Sequence, residues 1–574
     1  MVKYNYIIND EELVRAIEDI RNAKVIGLDI ETTGLNPKKY KIRLVQIAPE
    51  NKNVIIIDWF KISSHGKNII KTFLEGDVIK VLHNSKFDYK FLITESIDIS
   101  NNLYDTMLAA QVIDSGIGST NFKLENVVFH YTGIEMRKEQ QKSNWSKEIL
   151  SKEQLEYSAY DAYILLSLRE EINKQLKSDN LTYIASIEFS TVPAVAQIEL
   201  NGIYVDTIKL REVQSKFLEE KKQLEKEIRL YLPNTDININ SPKQLKGALE
   251  GINIYVNSTS KEVLIPLSNK YPVIAIILEY KKLDKLLQFI EKILLNVSED
   301  NRLYSNYFQC ITKTGRFSCS DFNLQQIPHD YRIRECFSAP NEKVLVIADY
   351  SQVELRIAGE IADDYRIIKA YTDGQDLHSL TASLINNKKS SEISKDDRQA
   401  AKALNFGLLY GMGSERFKEY AMNNYGVEMS LEEANEFRNK FFTYYSGLKK
   451  WHMVNSVKVK GTSESAISEA RTLANRRRLW NGKPSFTEFT NFPVQGTGAD
   501  ILKIALSVLP KALKDTSAKL VATVHDEIII EAEKADAEKV KMILKTVMEK
   551  AGSLILKRIP IISEAKIAEN WSEK

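Results

Sequence analysis

Cysteine is scarce in this chain, and the three that occur (Cys310, Cys319 and Cys336) do not have the spacing of metal ligands. They cannot form a disulfide framework, so a reducing, intracellular compartment is expected. The N-terminus lacks the apolar core of a secretory signal, and no uncharged run is long enough to span a bilayer. We therefore expect a soluble protein that makes no membrane contact.

An excess of either charge is also missing. The 574 residues include 79 Lys and Arg against 77 Asp and Glu, which leaves a net charge of +2. Contact with nucleic acid would have to come from local basic clusters rather than from a global field. The chain is too long for one hydrophobic core, and roughly three or four domains or subdomains are expected.

The hydrophobic pattern changes twice along the chain. Up to about residue 180, apolar strands such as 25–30 and 42–47 alternate with helical periodicity. Residues from about 183 to 300 are mostly helical, and beyond 300 short strands alternate with helices. This order predicts an α/β domain followed by a larger α+β domain.

Acidic residues in the first domain fall at spacings that suit a metal site. Asp29 and Glu31 lie two apart on a predicted strand and therefore share a face. Tyr157 and Asp161 lie four apart on a predicted helix and point together, and Asp88 stands between the two segments. Together they can hold two metal ions and orient a water molecule. The alternative for any one of these acids is a solvated surface charge.

Two further carboxylates, Asp349 and Asp526, each stand at the end of an apolar run in the second domain. Aspartates on neighbouring strand ends would bind a Mg²⁺ pair ~3.5–4 Å apart, the arrangement that serves phosphoryl transfer. The alternative is two hairpin turns with solvated acids. Taken alone, either segment leaves both interpretations open.

A predicted helix between these aspartates carries cations and aromatic rings at a spacing of four. Arg398 and Lys402 come first, and Phe406 and Tyr410 follow on the same slowly drifting face. Cations suit the phosphates of a nucleoside triphosphate, and rings suit its sugar and base. An ordinary amphipathic helix is the alternative.

The order of these segments resembles the motif order of two enzyme families. Asp-x-Glu, Asn-x-x-x-Asp and Tyr-x-x-x-Asp resemble the signature segments of proofreading 3′→5′ exonucleases with the DnaQ-like, RNase H-like fold. Segments 349–356, 398–411 and 525–527 resemble motifs A, B and C of family A DNA polymerases, the DNA polymerase I type. The resemblance covers essentially the whole chain. Its compact layout is similar to that of polymerases from deep-branching thermophilic bacteria, hot-spring viruses and the apicoplast.

The resemblance implies an α/β RNase H-like (DnaQ-like) exonuclease domain at residues 1–180 and an α+β right-hand polymerase domain at 181–574. Within the second domain it implies a thumb at about 190–300, a palm at about 301–370 and 490–574, and fingers at about 371–489. Because the chain starts directly at the proofreading domain, no 5′ nuclease domain is expected.

Catalytic roles follow from the same resemblance. In the exonuclease domain the metal-binding carboxylates and the tyrosine that positions the water would be Asp29, Glu31, Asp88, Asp161 and Tyr157. In the polymerase domain, Asp349 and Asp526 would hold two Mg²⁺ ions beside the carbonyl region of Tyr350. Each active site would take two Mg²⁺, with Mn²⁺ as a substitute. Lys402 would be the general acid for the pyrophosphate leaving group, and Glu527 would have an electrostatic role beside Asp526.

The resemblance also implies contacts with dNTPs and primer-template DNA. Arg398, Lys402 and His378 would grip the triphosphate. Glu354 and Tyr410 would exclude a ribose 2′-hydroxyl and so select deoxynucleotides. The remaining dNTP contacts would be Gln352 and Phe406. The DNA contacts would be Arg316, Asn323, Gln325, Asn491, Gln495 and His525, with the basic clusters at Lys281 and Arg476. We expect a monomer, and the sequence does not identify replisome partners.

Four positions bear on how closely the chain follows the family. Phe486 and Thr487 stand where the family often has Glu-Arg, so a minor-groove arginine is missing or supplied elsewhere. Asn475 replaces a usual glycine, and because asparagine tolerates a left-handed turn, we expect the local geometry to survive. Phe406 carries no hydroxyl near the sugar, so dideoxynucleotides should be poor substrates.

Two other functions fit part of the pattern. A single-subunit RNA polymerase shares this motif logic, but Glu354 argues against ribonucleotide use. A DNA-binding or replication-scaffold protein with decayed sites would lose its carboxylates first, and every expected carboxylate is present in both domains. The sequence therefore favours a template-directed DNA polymerase with proofreading.

Overall fold

The computed structural model describes residues 2–118, 121–136, 140, 143–232 and 237–574. Two large sheets organise this part of the chain, one in each predicted domain. The predicted boundary at about residue 180 lies between the end of one long helix and the start of the next. No helix among the described residues combines the length and apolar character that a membrane crossing requires.

The first domain contains a six-stranded mixed sheet flanked by helices. Its strands are β1 (Tyr4–Ile7), β2 (Val25–Thr32), β3 (Ile42–Pro49), β4 (Val54–Asp58), β5 (Ile79–Leu82) and β6 (Leu103–Asp105). Its helices are α1 (Asp10–Ile20), α2 (Ser64–Leu74), α3 (Ser85–Thr94), α4 (Thr106–Asp114), α5 (Leu124–Thr132) and α6 (Lys152–Ser178). The strand order is β1-β4-β3-β2-β5-β6, with β3 antiparallel to both of its neighbours.

Helices cover both faces of this sheet, and therefore β3 and β4 are buried along their whole length. On one face Leu13 of α1 and Ile70 of α2 join the main hydrophobic core. On the other face Ala159 and Ala162 of α6 pack in a second cluster with Leu44. The predicted strands and helices of this domain are confirmed.

A helical stretch separates the two sheets. Its elements are α7 (Thr182–Asn201), β7 (Ile203–Tyr204), α8 (Thr207–Tyr231), α9 (Pro242–Glu250), α10 (Lys261–Ser268), α11 (Pro272–Asn296) and β8 (Arg302–Leu303). Ser241 caps α9 and Pro242 occupies its first turn. The tips of α8 and α11 enclose a small core of their own with α9 and α10. α7 is largely buried, and it packs against both α3 and β14 (Lys519–Val524), so it joins the two domains.

The second large sheet is antiparallel and has the order β14-β15-β11-β16. Besides β14, its strands are β11 (Lys343–Tyr350), β15 (Glu527–Glu533) and β16 (Ser563–Ala568). Around it lie β9 (Asn306–Phe308), β10 (Ser318–Ser320), α12 (Tyr331–Arg334), α13 (Val353–Ile361), α20 (Phe486–Ala512) and α21 (Ala537–Ile555). The 3₁₀ turns are Leu324–Gln326, Ser390–Glu392 and Trp571–Glu573. α20 and α21 pack together against this domain's core.

The chain between α13 and α20 is mostly helical. It comprises α14 (Tyr365–Thr372), α15 (Leu377–Asn386), α16 (Lys395–Leu409), α17 (Ser414–Tyr425), α18 (Leu431–Tyr444) and α19 (Ser446–Gly461), then the hairpin β12 (Ile467–Arg471) and β13 (Arg477–Asn481). Ser394 caps α16 through a reciprocal capping box with Asp397, which fixes where this helix begins. The capping box therefore sets the start of the helix that carries Arg398 and Lys402.

Candidate active sites

The first acidic site lies where α6 crosses β2. Carboxylate oxygens of Asp29, Glu31 and Asp161 all lie within 4.8 Å of one another. Gly27 permits this close crossing, because a Cβ there would stand 2.0 Å from the Ala162 carbonyl oxygen. A glycine on the strand therefore brings the helix carboxylate to the two strand carboxylates.

Burial and mutual repulsion strongly perturb these acids. The pKa values of Asp29 and Glu31 are raised well above their usual range, first by burial and then by the neighbouring carboxylates. Burial raises the pKa of Asp161 to about 7, although the nearby Tyr157 hydroxyl acts in the opposite direction. One Asp161 oxygen, Oδ1, is buried and has no hydrogen-bond partner among the described residues. Convergent hard oxygen donors with an unmet partner fit a divalent cation.

Asp88 lies beside this cluster rather than in it. The side chain is buried on α3, and its pKa is raised by burial and by Asp29. Its oxygens do not belong to the group that converges within 4.8 Å. The sequence prediction grouped Asp88 with the metal ligands, and the structure separates it from the closest three.

A cavity of about 900 Å³ opens in front of the first site. One wall carries Asp29, Tyr157 and Asp161, and the opposite wall carries Phe308 and Ile311 of the second domain. Lys86 ties the two walls together. Its ammonium donates to Glu199 at 2.6 Å and to the side chain of Asn306 at 2.8 Å. The site therefore faces a cleft built from both domains.

The second acidic site lies at the end of β11. Asp349 is paired in register with Glu527 on β15 and with Glu564 on β16. Asp526 occupies the turn between β14 and β15, where His525 has a left-handed φ of 57°. Burial and the charge of Asp349 raise the pKa of Asp526 to about 7. Asp349 Oδ1 is buried and lacks a hydrogen-bond partner in the described chain, so this donor set also suits a divalent cation.

Two residues that the sequence did not single out as functional complete this site. Lys574 places its ammonium 2.6 Å from Asp349 Oδ2 and also pairs with Glu527 Oε2. Trp571 donates its indole N–H to Glu527 Oε1. Both oxygens of Glu527 are thereby engaged, which agrees with an electrostatic role. No local motif marks a lysine so far along the chain as a partner of Asp349.

The backbone next to Asp349 is held by side chains that point away from the carboxylates. The Tyr350 hydroxyl is buried and donates to the Met548 carbonyl at 3.0 Å, so only the main chain of Tyr350 can face the site. Gln352 has a left-handed φ of 52° and accepts a hydrogen bond from Tyr371 at 2.9 Å. Gln352 therefore shapes the turn into α13.

The helix α16 carries the predicted cations Arg398 and Lys402 and packs against α13, the helix that follows β11. Arg398 pairs with Asp376 at 2.7 Å, while Lys402 makes no ion pair within the described part of the chain. His378 accepts a hydrogen bond from Asn405 at 2.8 Å, and its ring lies 5.6 Å from that of Phe406. Burial lowers the pKa of His378 to about 4, so the ring is neutral near pH 7. His378 would therefore meet a phosphate as a hydrogen-bonding group rather than as a cation.

Glu354 is held from two sides. The Tyr410 hydroxyl donates to Glu354 Oε2, and Arg316 pairs with Oε1 at 2.6 Å. Gln495 lies close enough to Tyr410 to influence the pKa of its hydroxyl. Glu354, Arg316 and Asp526 line one small pocket. The fixed Glu354 carboxylate therefore narrows the space beside Asp526.

The residues predicted to contact DNA lie in different surroundings in the structure. Gln325 donates to the Thr523 carbonyl at 2.7 Å and accepts from the His525 N–H at 3.0 Å, so it supports the turn that carries Asp526. Asn323 caps the 3₁₀ turn through the Gln325 N–H. Asn491 Oδ1 is buried without a hydrogen-bond partner among the residues described. Lys281 donates to the Thr259 carbonyl at 2.9 Å, so its ammonium is turned toward its own domain.

The predicted DNA contact of Arg476 is wrong. Its side chain is 6% exposed and pairs with Asp500 at 2.7 Å and with Glu188. Lys503, itself fully buried, pairs with the same Glu188 oxygen at 2.6 Å. A buried arginine whose charge is already matched cannot also meet a phosphate. The expectation for Asn475 is confirmed, since its φ is 75°.

The fold and the two sites together define a nucleic-acid enzyme with a hydrolytic domain and a nucleotide-transfer domain. A family model described as 3'-5' exonuclease matches residues 4–177, and one described as DNA polymerase family A matches residues 207–573. The chain belongs to DNA polymerase family A and carries a 3′-5′ exonuclease domain ahead of the polymerase domain.

Several relatives share this organisation. The DNA polymerase I of Aquifex aeolicus (strain VF5) is 35% identical over an alignment of 598 positions. The alignment covers 99% of this chain and 100% of that protein. The DNA polymerase I of Borreliella burgdorferi is 31% identical over 100% of this chain, which spans 65% of that protein. The POL domain of Pol1 from M. smegmatis, solved with DNA primer-template and dNTP, has a TM-score of 0.82 at 22% identity and 99% coverage of both chains. This last likeness shows the fold alone.

Proposed function

We propose that the Asp349–Asp526 site adds dNTPs to a primer 3′ end and that the Asp29–Glu31–Asp161 site removes mismatched ends by hydrolysis. One observation carries this proposal. In both sites a buried carboxylate oxygen, Asp349 Oδ1 and Asp161 Oδ1, has no hydrogen-bond partner in the described structure. An unmet oxygen costs stability unless a cation or proton satisfies it, and two such sites on one chain suit synthesis and editing.

The donor sets fit two Mg²⁺ ions per active site, with Mn²⁺ as a substitute. Asp349, Asp526 and the main chain at Tyr350 would hold them in the polymerase domain. Asp29, Glu31 and Asp161 would hold them in the exonuclease domain. When bound, such ions lower the pKa of the attacking hydroxyl or water and neutralise phosphate charge.

Side chains on α16 and α15 handle the triphosphate. Arg398 and Lys402 supply positive charge, and the buried Nε2 of neutral His378 donates a hydrogen bond to a phosphate oxygen. The primer 3′ oxygen attacks the α-phosphorus, and the bond to the bridging oxygen of pyrophosphate breaks. Lys402 gives a proton to that leaving oxygen, a role that its lack of an ion pair among the described residues leaves open.

Glu354 excludes ribonucleotides. Because Tyr410 and Arg316 hold both of its oxygens, the carboxylate cannot swing away from the sugar. A 2′-hydroxyl would have to displace one of these two partners. Arg316 and His525 line the same small pocket as Glu354, and Asn491 and Gln495 lie one turn apart on α20. These four residues would meet the primer, the template or the nascent pair.

In the exonuclease domain Tyr157 orients the attacking water. Its side chain lies beside Asp161, and both residues line the cavity that also contains Asp29. Water attacks the terminal phosphorus, and the bond to the 3′ oxygen of the preceding nucleotide breaks. A nucleoside monophosphate leaves, and the shortened primer regains a 3′-hydroxyl. The wall formed by Phe308 and Ile311 would contact the frayed strand.

Primer extension on a DNA template, with matched and with mismatched 3′ ends, tests this proposal. We expect Mg²⁺-dependent extension of the matched primer, and removal of the mismatched nucleotide before extension. The same template with ribonucleotides is the control for sugar selection. Mismatched ends that are extended without removal would reject the editing role. Efficient ribonucleotide incorporation would favour an RNA polymerase.

A further inference from the structure

A lysine ammonium lies between two carboxylates of the polymerase site. Lys574 Nζ is 2.6 Å from Asp349 Oδ2 and contacts Glu527 Oε2 as well. The lysine side chain is 35% exposed, so water reaches it from one side. Asp349 therefore already shares one of its two oxygens with a cation that belongs to the chain.

The segment that carries Lys574 is firmly anchored. The backbone N–H of Trp571 donates to the Phe337 carbonyl at 2.8 Å, and the rings of these two residues meet edge to face with centroids 5.6 Å apart. The Arg334 guanidinium lies 4.9 Å over the Trp571 ring and donates to the Pro328 carbonyl. Trp571 in turn holds Glu527, so a fixed aromatic residue delivers Lys574 to the site. The contact between Lys574 and Asp349 therefore follows from the packing of Trp571.

Lys574 can leave Asp349, whereas Arg334, another cation near the site, cannot move easily. Arg334 is buried, stacked on Trp571 and committed to a carbonyl. The lysine ammonium ends a flexible four-carbon stem and keeps a second partner in Glu527. A divalent ion that needs both oxygens of Asp349 must displace the ammonium from Oδ2. Glu527 would then still neutralise the displaced ammonium.

We propose that Lys574 is an internal cation that competes with divalent metal for Asp349 and so sets the metal concentration that the polymerase site requires. This inference rests on the proposed metal binding by Asp349 and Asp526. The ammonium keeps its contact with Glu527 whether or not Asp349 binds a metal ion, so it stays next to the site. Lys574 is therefore a positioning residue for the metal rather than a catalytic residue.

Mn²⁺ binding, measured by electron paramagnetic resonance of the free ion, tests this inference. All proteins carry Asp29→Ala and Glu31→Ala, so that the exonuclease site does not contribute. Lys574→Met should lower the Mn²⁺ dissociation constant of the remaining site roughly threefold to tenfold, because a competing partly exposed ion pair is removed. Lys566→Met is the matched control. Lys566 is exposed and makes no ion pair within the described residues. Together with Asp349 and Lys574 it lines a cavity of about 280 Å³.

The results separate the inference about Lys574 from the proposed metal site on which it rests. Lys566→Met should change the dissociation constant by less than about twofold, because solvent and salt screen its charge. Unchanged or weaker Mn²⁺ binding in Lys574→Met overturns the inference, and so does an equal gain in Lys566→Met. If Asp526→Ala removes no Mn²⁺ from the parent protein, the metal site itself is misplaced. That outcome overturns the proposed function together with this inference.

Discussion

The exonuclease and polymerase sites use the same kind of ligand but differ in their own positive charge. Around Asp29, Glu31 and Asp161, none of the main influences on the pKa values is a cation. At the polymerase site, Lys574 and Arg316 both pull down the pKa of Asp526 against its burial. The hydrolytic site therefore depends on incoming metal for charge compensation, whereas the polymerase site brings part of that compensation itself.

Apart from changes to the carboxylates themselves, the largest effect is expected at Tyr157. Tyr157→Phe removes the hydroxyl beside Asp161, so exonuclease turnover should fall about a hundredfold while synthesis is unchanged. Excision of a mismatched nucleotide, measured in single turnover, checks it. Tyr160→Phe, a half-buried tyrosine on the same helix, is the matched control. Equal losses in the two variants would reject a specific role for Tyr157.

A smaller effect is expected at Glu354, the residue proposed to exclude ribonucleotides from the polymerase site. Glu354→Ala frees the space that Tyr410 and Arg316 hold closed, so discrimination against ribonucleotides should fall roughly tenfold to a hundredfold. The ratio of kcat/KM for a dNTP and the matching ribonucleotide measures it. Excision by the same variant should be unaffected, since the exonuclease site is built from other elements. Unchanged discrimination would show that Glu354 does not meet the sugar.

The pH dependence of stability reports on the uncompensated site. The folded pKa of Asp161 is raised to about 7 from 3.8, so the folded state binds more protons than the unfolded state between these values. Its contribution is full below about pH 4 and is lost as pH rises through about 7. In metal-free buffer, Asp161→Asn should flatten the fall of Tm over this window, and the exposed control Asp19→Asn should not. A parent protein whose Tm does not fall over this window contradicts the raised pKa.

The smallest effect is expected at Phe406. Phe406→Tyr adds a hydroxyl near the sugar that can hydrogen-bond a substrate lacking the 3′-hydroxyl, so dideoxynucleotide use should improve several-fold. Chain termination at a fixed ratio of dideoxynucleotide to dNTP measures it. Phe417→Tyr places the same group in the buried core of a neighbouring helix and serves as a control for general perturbation. Equal termination by the parent and Phe406→Tyr would remove the idea.

Local spacing predicted both carboxylate sites. Asp29 and Glu31 share a strand face because strands alternate with period two, and Asp526 stands at a turn between two apolar strands. The left-handed turn at Asn475 also followed from the chemistry of one residue. Features that depend on a few neighbouring residues were therefore within reach.

Contacts between distant segments could not be predicted in this way. The run at Arg476 has the local appearance of a phosphate-binding cluster, yet Arg476 pairs with Glu188, which is 288 residues away in sequence. Arg477 donates to Ile113 of the exonuclease domain, so the hairpin β12–β13 ties the two domains together. Lys574 became part of the polymerase site only through the packing of Trp571. Burial and partner choice in these cases are set by tertiary structure, which no local pattern encodes.

The separability of the two sites is the central claim, and one pair of variants tests it most directly. Asp526→Ala should reduce primer extension by on the order of 10³-fold and leave mismatch excision intact. Asp29→Ala with Glu31→Ala should do the reverse, so each protein is the matched control for the other. Extension and excision measured on the same mismatched primer-template should thus show a double dissociation. Loss of both activities in either variant, or unchanged extension in Asp526→Ala, would contradict the account.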